Sequence, residues 1–173
     1  MKNTAGQLVN TETLNQQNTE ETPYQRLARL GIVLPSPPTP VANFETHVID
    51  DRRLYLSGQG PIEANGLLHT GKVGEVYDVD QAYDMARLVG VNLISVMHAA
   101  LGDLRRVRRI VKVLGMVNAV PAFSSHPHVI NGCSDLLLEV FGAAGSHARS
   151  AVGLCSLPDN IPVEIEAIVS ITD

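Results

Sequence analysis

Two residues near the end of the chain have the types and the spacing to do chemistry together. Arg149 stands in Ala148-Arg149-Ser150-Ala151-Val152-Gly153, and Glu164 follows 15 positions later in Pro162-Val163-Glu164-Ile165-Glu166-Ala167, after a Leu157-Pro158 turn. A guanidinium is a planar fork that binds a carboxylate in bidentate fashion, and a glutamate beside it can orient water. Both segments have the pattern of strands, and in an antiparallel pair these two ends would meet. The same pattern fits equally an Arg–Glu pair that merely closes the sheet.

The remaining candidates carry less. His126-x-His128 could ligate a metal, but it falls on an expected loop without a Cys or carboxylate partner, and closed zinc sites need three or four convergent ligands. His47, His69, His98 and His147 are scattered and carry no ligand spacing. Neither a metal nor an organic cofactor is expected. Gly58-Gln59-Gly60 lacks the third glycine and the strand-to-helix context of a dinucleotide loop. Cys133 and Cys155 are too few for a disulfide framework, sit in no motif, and are expected to be two buried thiols. Arg105-Arg106-x-Arg108-Arg109 could track a phosphate backbone or anchor an acidic partner. The plainer reading is a solvated strand edge that blocks aggregation.

Composition narrows the class of protein. The 173 residues include 13 basic and 18 acidic side chains, a net charge of −5 that argues against an unspecific binder of nucleic acid. Hydrophobic residues make up 45%, with no Trp and three Phe, so the core must be aliphatic. No apolar segment follows Met1 and no run of about 20 apolar residues occurs, so no membrane partner is expected and the protein reads as cytoplasmic.

The elements that must position these residues follow from pattern. Residues 1–22 are rich in Asn, Gln, Thr and Glu, the composition of a flexible polar tail. Over 23–40, Thr22-Pro23 starts a short helix with Tyr24, Leu27 and Leu30 on one face, ended by Gly31 and followed by a Pro-rich connector. The main domain is expected over 41–173. There, two strand-like runs between Phe44 and Ser57 flank a turn at Asp50–Arg53, and a long apolar helix starts at Asp78 or Asp80 and closes at Gly102. A β-branched strand spans Leu104–Asn118, and a second helix covers roughly His128–Phe141. Two closing strands occupy Arg149–Ser156 and Pro162–Ile171. The order β-β-α-β-α-β-β implies an α+β fold, one mixed sheet with two main helices on one face.

With these elements in place, Ala148-Arg149-Ser150, Leu157-Pro158 and Val163-Glu164-Ile165-Glu166-Ala167-Ile168 resemble the C-terminal signature of the RidA/YjgF family. Leu56-Ser57-Gly58-Gln59-Gly60-Pro61 resembles the second strand and turn of that family, and Gly102-Asp103-Leu104 before a β-branched strand also matches. The resemblance runs from about Phe44 to the end. It implies a chorismate-mutase-like α+β fold and a homotrimer with ligand clefts between subunits. It also implies hydrolysis of small imines and enamines such as 2-aminoacrylate to a 2-keto acid and ammonia, with no metal or organic cofactor. By the same resemblance Arg149 would clamp the substrate carboxylate, Glu164 and Ser57 would hold the attacking water or the polar end, and Asn131 would line the cleft together with Phe44 and Gly58. Two positions and one insertion depart from the deaminating members: Phe44 replaces a Tyr, Ala151 replaces a frequent Cys, and extra residues lie around Asn65–Tyr77. Three activities are consistent with the whole: an imine hydrolase, a binding module for small carboxylates or imine metabolites without turnover, and an endoribonuclease or translation inhibitor.

Overall fold

The computed structural model describes residues 21–37, 39–40 and 42–173. The polar tail expected over 1–22 therefore lies, except for Glu21 and Thr22, outside the described residues. Helix α1 (Pro23–Arg29) begins as its sequence dictates: the Thr22 side chain accepts from the Gln25 N–H, and the Gln25 side chain returns a bond to the Thr22 backbone. Leu27 is buried in the same core as the rest of the chain. The Tyr24 hydroxyl accepts from the Leu104 N–H at 2.9 Å and bonds His98 Nδ1 at 3.1 Å, fixing α1 to the body.

Strands β1 (His47–Asp50) and β2 (Arg53–Gln59) form a hairpin whose turn places Asp51 at a left-handed φ of 52°. Helix α2 (Val79–Leu101) starts with a capping box between Asp78 and Gln81 and ends at the left-handed Gly102. Among the described residues α2 alone is long and apolar enough to cross a membrane, but more than half of its most apolar stretch is buried inside the protein, the position of a core helix. Strand β3 (Val107–Asn118) starts later than expected, because Asp103 caps a 3-10 turn over Leu104–Arg106. Helix α3 (His126–Phe141) starts two residues earlier than expected: Pro127 sits in its first turn, where a missing N–H costs nothing. Strands β4 (Ala148–Leu154) and β5 (Val163–Ile171) close the chain.

The sheet order is β1-β2-β5-β3-β4, antiparallel throughout except for the parallel pair β3–β4. This is the expected α+β arrangement of one mixed sheet with α2 and α3 over one face. Along β5, Val163, Ile165, Ala167 and Val169 are buried, while Glu164, Glu166 and Ile168 turn to the uncovered face. One expectation is overturned: the two closing strands do not pair. β5, buried at every second position, takes the centre of the sheet, and the largely exposed β4 takes an edge. The connection between them is no tight hairpin. It runs through a 3-10 turn at Pro158–Asn160 with Asp159 and Asn160 at φ 52° and 56°, and carries the chain past β3.

Candidate functional site

Arg149 lies opposite Val113 on β3, which lies opposite Ala167 on β5, so all three share the face covered by the helices. Its guanidinium is held against the first two turns of α3. Nη1 donates to Asn131 Oδ1 and to Ser134 Oγ, each at 2.9 Å, and Nη2 donates to the Pro127 carbonyl at 3.2 Å. Asn131 and Ser134 are three residues apart on α3 and thus on one helix face. Ser134 is in turn 3.0 Å from His147 Nε2, and His147 Nδ1 donates to the Gly145 carbonyl at 2.6 Å. Nη1 and Nη2 are thus occupied, while Nε has no hydrogen-bond partner among the described residues. Nε–H belongs to the lateral edge of the fork, one of the edges that receive a carboxylate through two parallel bonds. Farther along the same face of β4, Gly153 lies under the His126 ring, and a Cβ there would overlap it.

A second group of predicted residues lies elsewhere. Glu164 pairs with Met116, three residues beyond Val113, and so projects from the uncovered face. Its carboxylate rests over Gly58, where a Cβ would overlap Oε1. Burial, and then the neighbouring Glu166 carboxylate, raise the pKa of Glu164 above the ordinary value. The Ser57 hydroxyl donates to the Glu45 carbonyl at 2.7 Å, and Phe44 is 46% exposed just before β1. The expectation that Arg149 and Glu164 meet across an antiparallel pair is therefore corrected: β3 separates their strands and they occupy opposite faces. The chain brings Arg149 together with Asn131, and Glu164 together with Gly58, the residue after Ser57, as two separate groups.

The other candidates resolve individually. His126 packs on Gly153 and Phe123, whereas His128 faces Asp80 and Tyr83, so the two imidazoles diverge. No group of three metal-ligating side chains converges among the described residues. Cys133 is buried, which pushes its thiol up to about 12, but Cys155 is exposed, against the expectation of two buried thiols. Cys155 leaves the core because it lies just past the end of edge strand β4, where its carbonyl receives Lys72 Nζ. The arginine run is divided: Arg105 pairs with Asp103 and holds that carboxyl below its ordinary range, Arg106 binds the carbonyls of Leu101 and Thr172, and Arg109 binds that of Ser146. The residues missed by sequence reasoning are Ser134 and His147. Their signal was spacing: Ser134 stands three residues after Asn131, and His147 two before Arg149.

Comparison with known proteins agrees with this fold. The pattern of the family described as "YjgF/chorismate mutase-like, putative endoribonuclease" matches residues 24–165. "Protein TCP17" of Trypanosoma cruzi is 42% identical over 148 residues, 85% of this chain and 92% of that one. The crystal structure of Atu1372 from Agrobacterium tumefaciens, a protein of unknown function, is 44% identical with a TM-score of 0.80, over 87% of this chain and 94% of that one. A protein from Shewanella oneidensis named a "putative endoribonuclease" is 33% identical with a TM-score of 0.85, over 87% of this chain and 100% of that one.

Proposed function

Because the chain belongs to the YjgF/chorismate mutase-like family, with the α+β fold of that family, we propose that it hydrolyses small 2-imino and enamine acids to 2-keto acids and ammonia. The observation that carries this reading is the state of Arg149: α3 holds the guanidinium by Asn131, Ser134 and the Pro127 carbonyl and leaves Nε–H, on its lateral edge, without a partner among the described residues. A planar 2-imino carboxylate offers two oxygens to that edge. Water then adds to the imine carbon to give a tetrahedral carbinolamine. The C–N bond breaks, ammonia leaves with the protons supplied by water, and the carbonyl of the 2-keto acid forms. The imine carbon is already electrophilic, so the protein contributes mainly position. Glu164, with its pKa raised, is suited to pass the proton between the attacking water and the leaving nitrogen.

The two half-sites lie on opposite faces of one sheet, and β1 and β4 are its free edges. In the proposed homotrimer the β4 edge of one subunit, with Arg149 and Asn131, meets the β1–β2 side of the next. That neighbour supplies Phe44, Ser57, Gly58 and Glu164. The uncovered sheet face supports such packing, since Val48, Tyr55 and Val152 are exposed on it. A second reading, a binding module for small carboxylates without turnover, is favoured by Phe44, an exposed aromatic at the site with no hydroxyl to offer. Ammonia release from freshly generated 2-aminoacrylate separates the two. The hydrolase reading expects release well above the spontaneous rate, and a protein that binds 2-oxobutanoate without accelerating release contradicts it.

A further inference from the structure

We propose that His147 is a positioning residue for Arg149 that acts through the hydroxyl of Ser134, an inference that rests on the reading of Arg149 as the carboxylate anchor. The proton direction along the chain follows from its fixed end. The Gly145 carbonyl can only accept, so His147 Nδ1 carries a hydrogen and donates it at 2.6 Å. In the neutral ring Nε2 is then an acceptor, and the Ser134 hydroxyl, 3.0 Å away, donates its one hydrogen there. Both lone pairs of Ser134 Oγ are thereby turned from the ring, and one receives Arg149 Nη1 at 2.9 Å.

Without the imidazole the hydroxyl would be a free rotor. A serine within a helix donates by default to the carbonyl four residues earlier, or turns its hydrogen toward whatever lies nearest. With the hydrogen facing the guanidinium, Nη1 would keep only Asn131 Oδ1, and the fork would be held by that bond and the longer one from Nη2 to the Pro127 carbonyl. His147 directly precedes β4 and stands two residues before Arg149, so both side chains reach the same helix-covered side. Ser134 is 8% exposed, which keeps water from replacing either partner. The turn at Gly142–Gly145 thus fixes the ring, the ring fixes the hydroxyl, and the hydroxyl fixes the guanidinium edge left for a ligand.

The test compares H147A, H147Q, S134A and the S134A/H147A double variant, with R149A as the reference for a lost anchor. One readout is the Arg149 Nε–H resonance in a 15N-labelled protein, assigned by its loss in R149A. The other is the Kd for 2-oxobutanoate, a stable carboxylate probe. H147Q places an acceptor where Nε2 lies and should keep both the resonance and the affinity. H147A and S134A should broaden or shift the resonance toward that of a free arginine. S134A should weaken binding about tenfold, near the low end for a hydrogen bond to a charged group, and H147A about three- to tenfold, the range for an ordinary hydrogen bond. The double variant should be no weaker than S134A alone, because the two residues act in series. An unchanged Arg149 resonance in folded H147A, or full additivity in the double variant, overturns the proposal. Should H147A fail to fold, H147Q decides: a folded H147Q whose Arg149 resonance matches that of S134A overturns the proposal. Wild type binding 2-oxobutanoate no better than R149A would refute the anchor reading, and the resonance would still decide the positioning claim.

Discussion

Arg149 and Glu164 are held by different devices, and each makes a separate prediction. Glu164 is raised in the folded state by burial and by Glu166. Such a group stabilises the fold below the unfolded carboxyl range, about 4.3, and that stabilisation is lost as pH rises through the folded value. Glu164→Gln removes the loss. Thermal scans at pH 7 should therefore place E164Q at or above wild type, with the difference shrinking toward pH 4; a variant that melts lower at pH 7 would contradict the direction. The seat of Glu164 depends on Gly58, since a Cβ there would overlap its carboxylate. The far end of Glu164 is flexible and can swing aside, so Gly58→Ala should fold with a thermal midpoint near wild type yet lose most of its ammonia release. Equal activity would show that the position of Glu164 is not critical.

At the scale of elements, the Arg149 half-site is only as well placed as α3. A Cβ on Gly132 would overlap the Tyr83 carbonyl, so α3 approaches the backbone of α2 closely enough to need a glycine there. Backbone cannot yield as a side chain does, and Gly132→Ala should cost about 3 kcal/mol, the upper part of the overpacking range. The thermal midpoint should fall by roughly 6–12 °C; a midpoint within a degree of wild type would refute the close contact. Elements with strong local signals were legible in the sequence. Asp78 and Gly102 bound α2, the Thr22-Pro23 start marks α1, and the alternation from Val163 to Val169 marks β5. Strand neighbours were not legible, because alternation sets which face a residue takes and not which strand lies beside it. The alternation therefore did not reveal that β3 lies between β4 and β5 and parts Arg149 from Glu164. Likewise Arg149 and Asn131 were legible through the motif, whereas the Ser134–His147 link depends on how the Gly142–Gly145 turn aims a ring.

At the scale of the whole molecule, a sheet with helices over one face and two free edges accounts for both half-sites. In the proposed homotrimer, cyclic closure would cover the apolar face without open-ended growth. Light scattering at micromolar concentration should report about three times the 18.6 kDa chain mass, and a monomer would remove the shared cleft. The central claim, that the Arg149 fork holds the substrate carboxylate, is tested most directly by comparing Arg149→Lys with Arg149→Ala. Thermal melting and sizing would be paired with ammonia release from 2-aminoacrylate. An ammonium supplies charge but cannot place two parallel donors, and hydrogen bonds to charged groups contribute about 1.5–3 kcal/mol. Both variants should therefore stay folded and trimeric, with Arg149→Ala losing roughly tenfold to a hundredfold or more and Arg149→Lys failing nearly as badly. An Arg149→Ala protein that keeps its assembly and full activity would contradict the account.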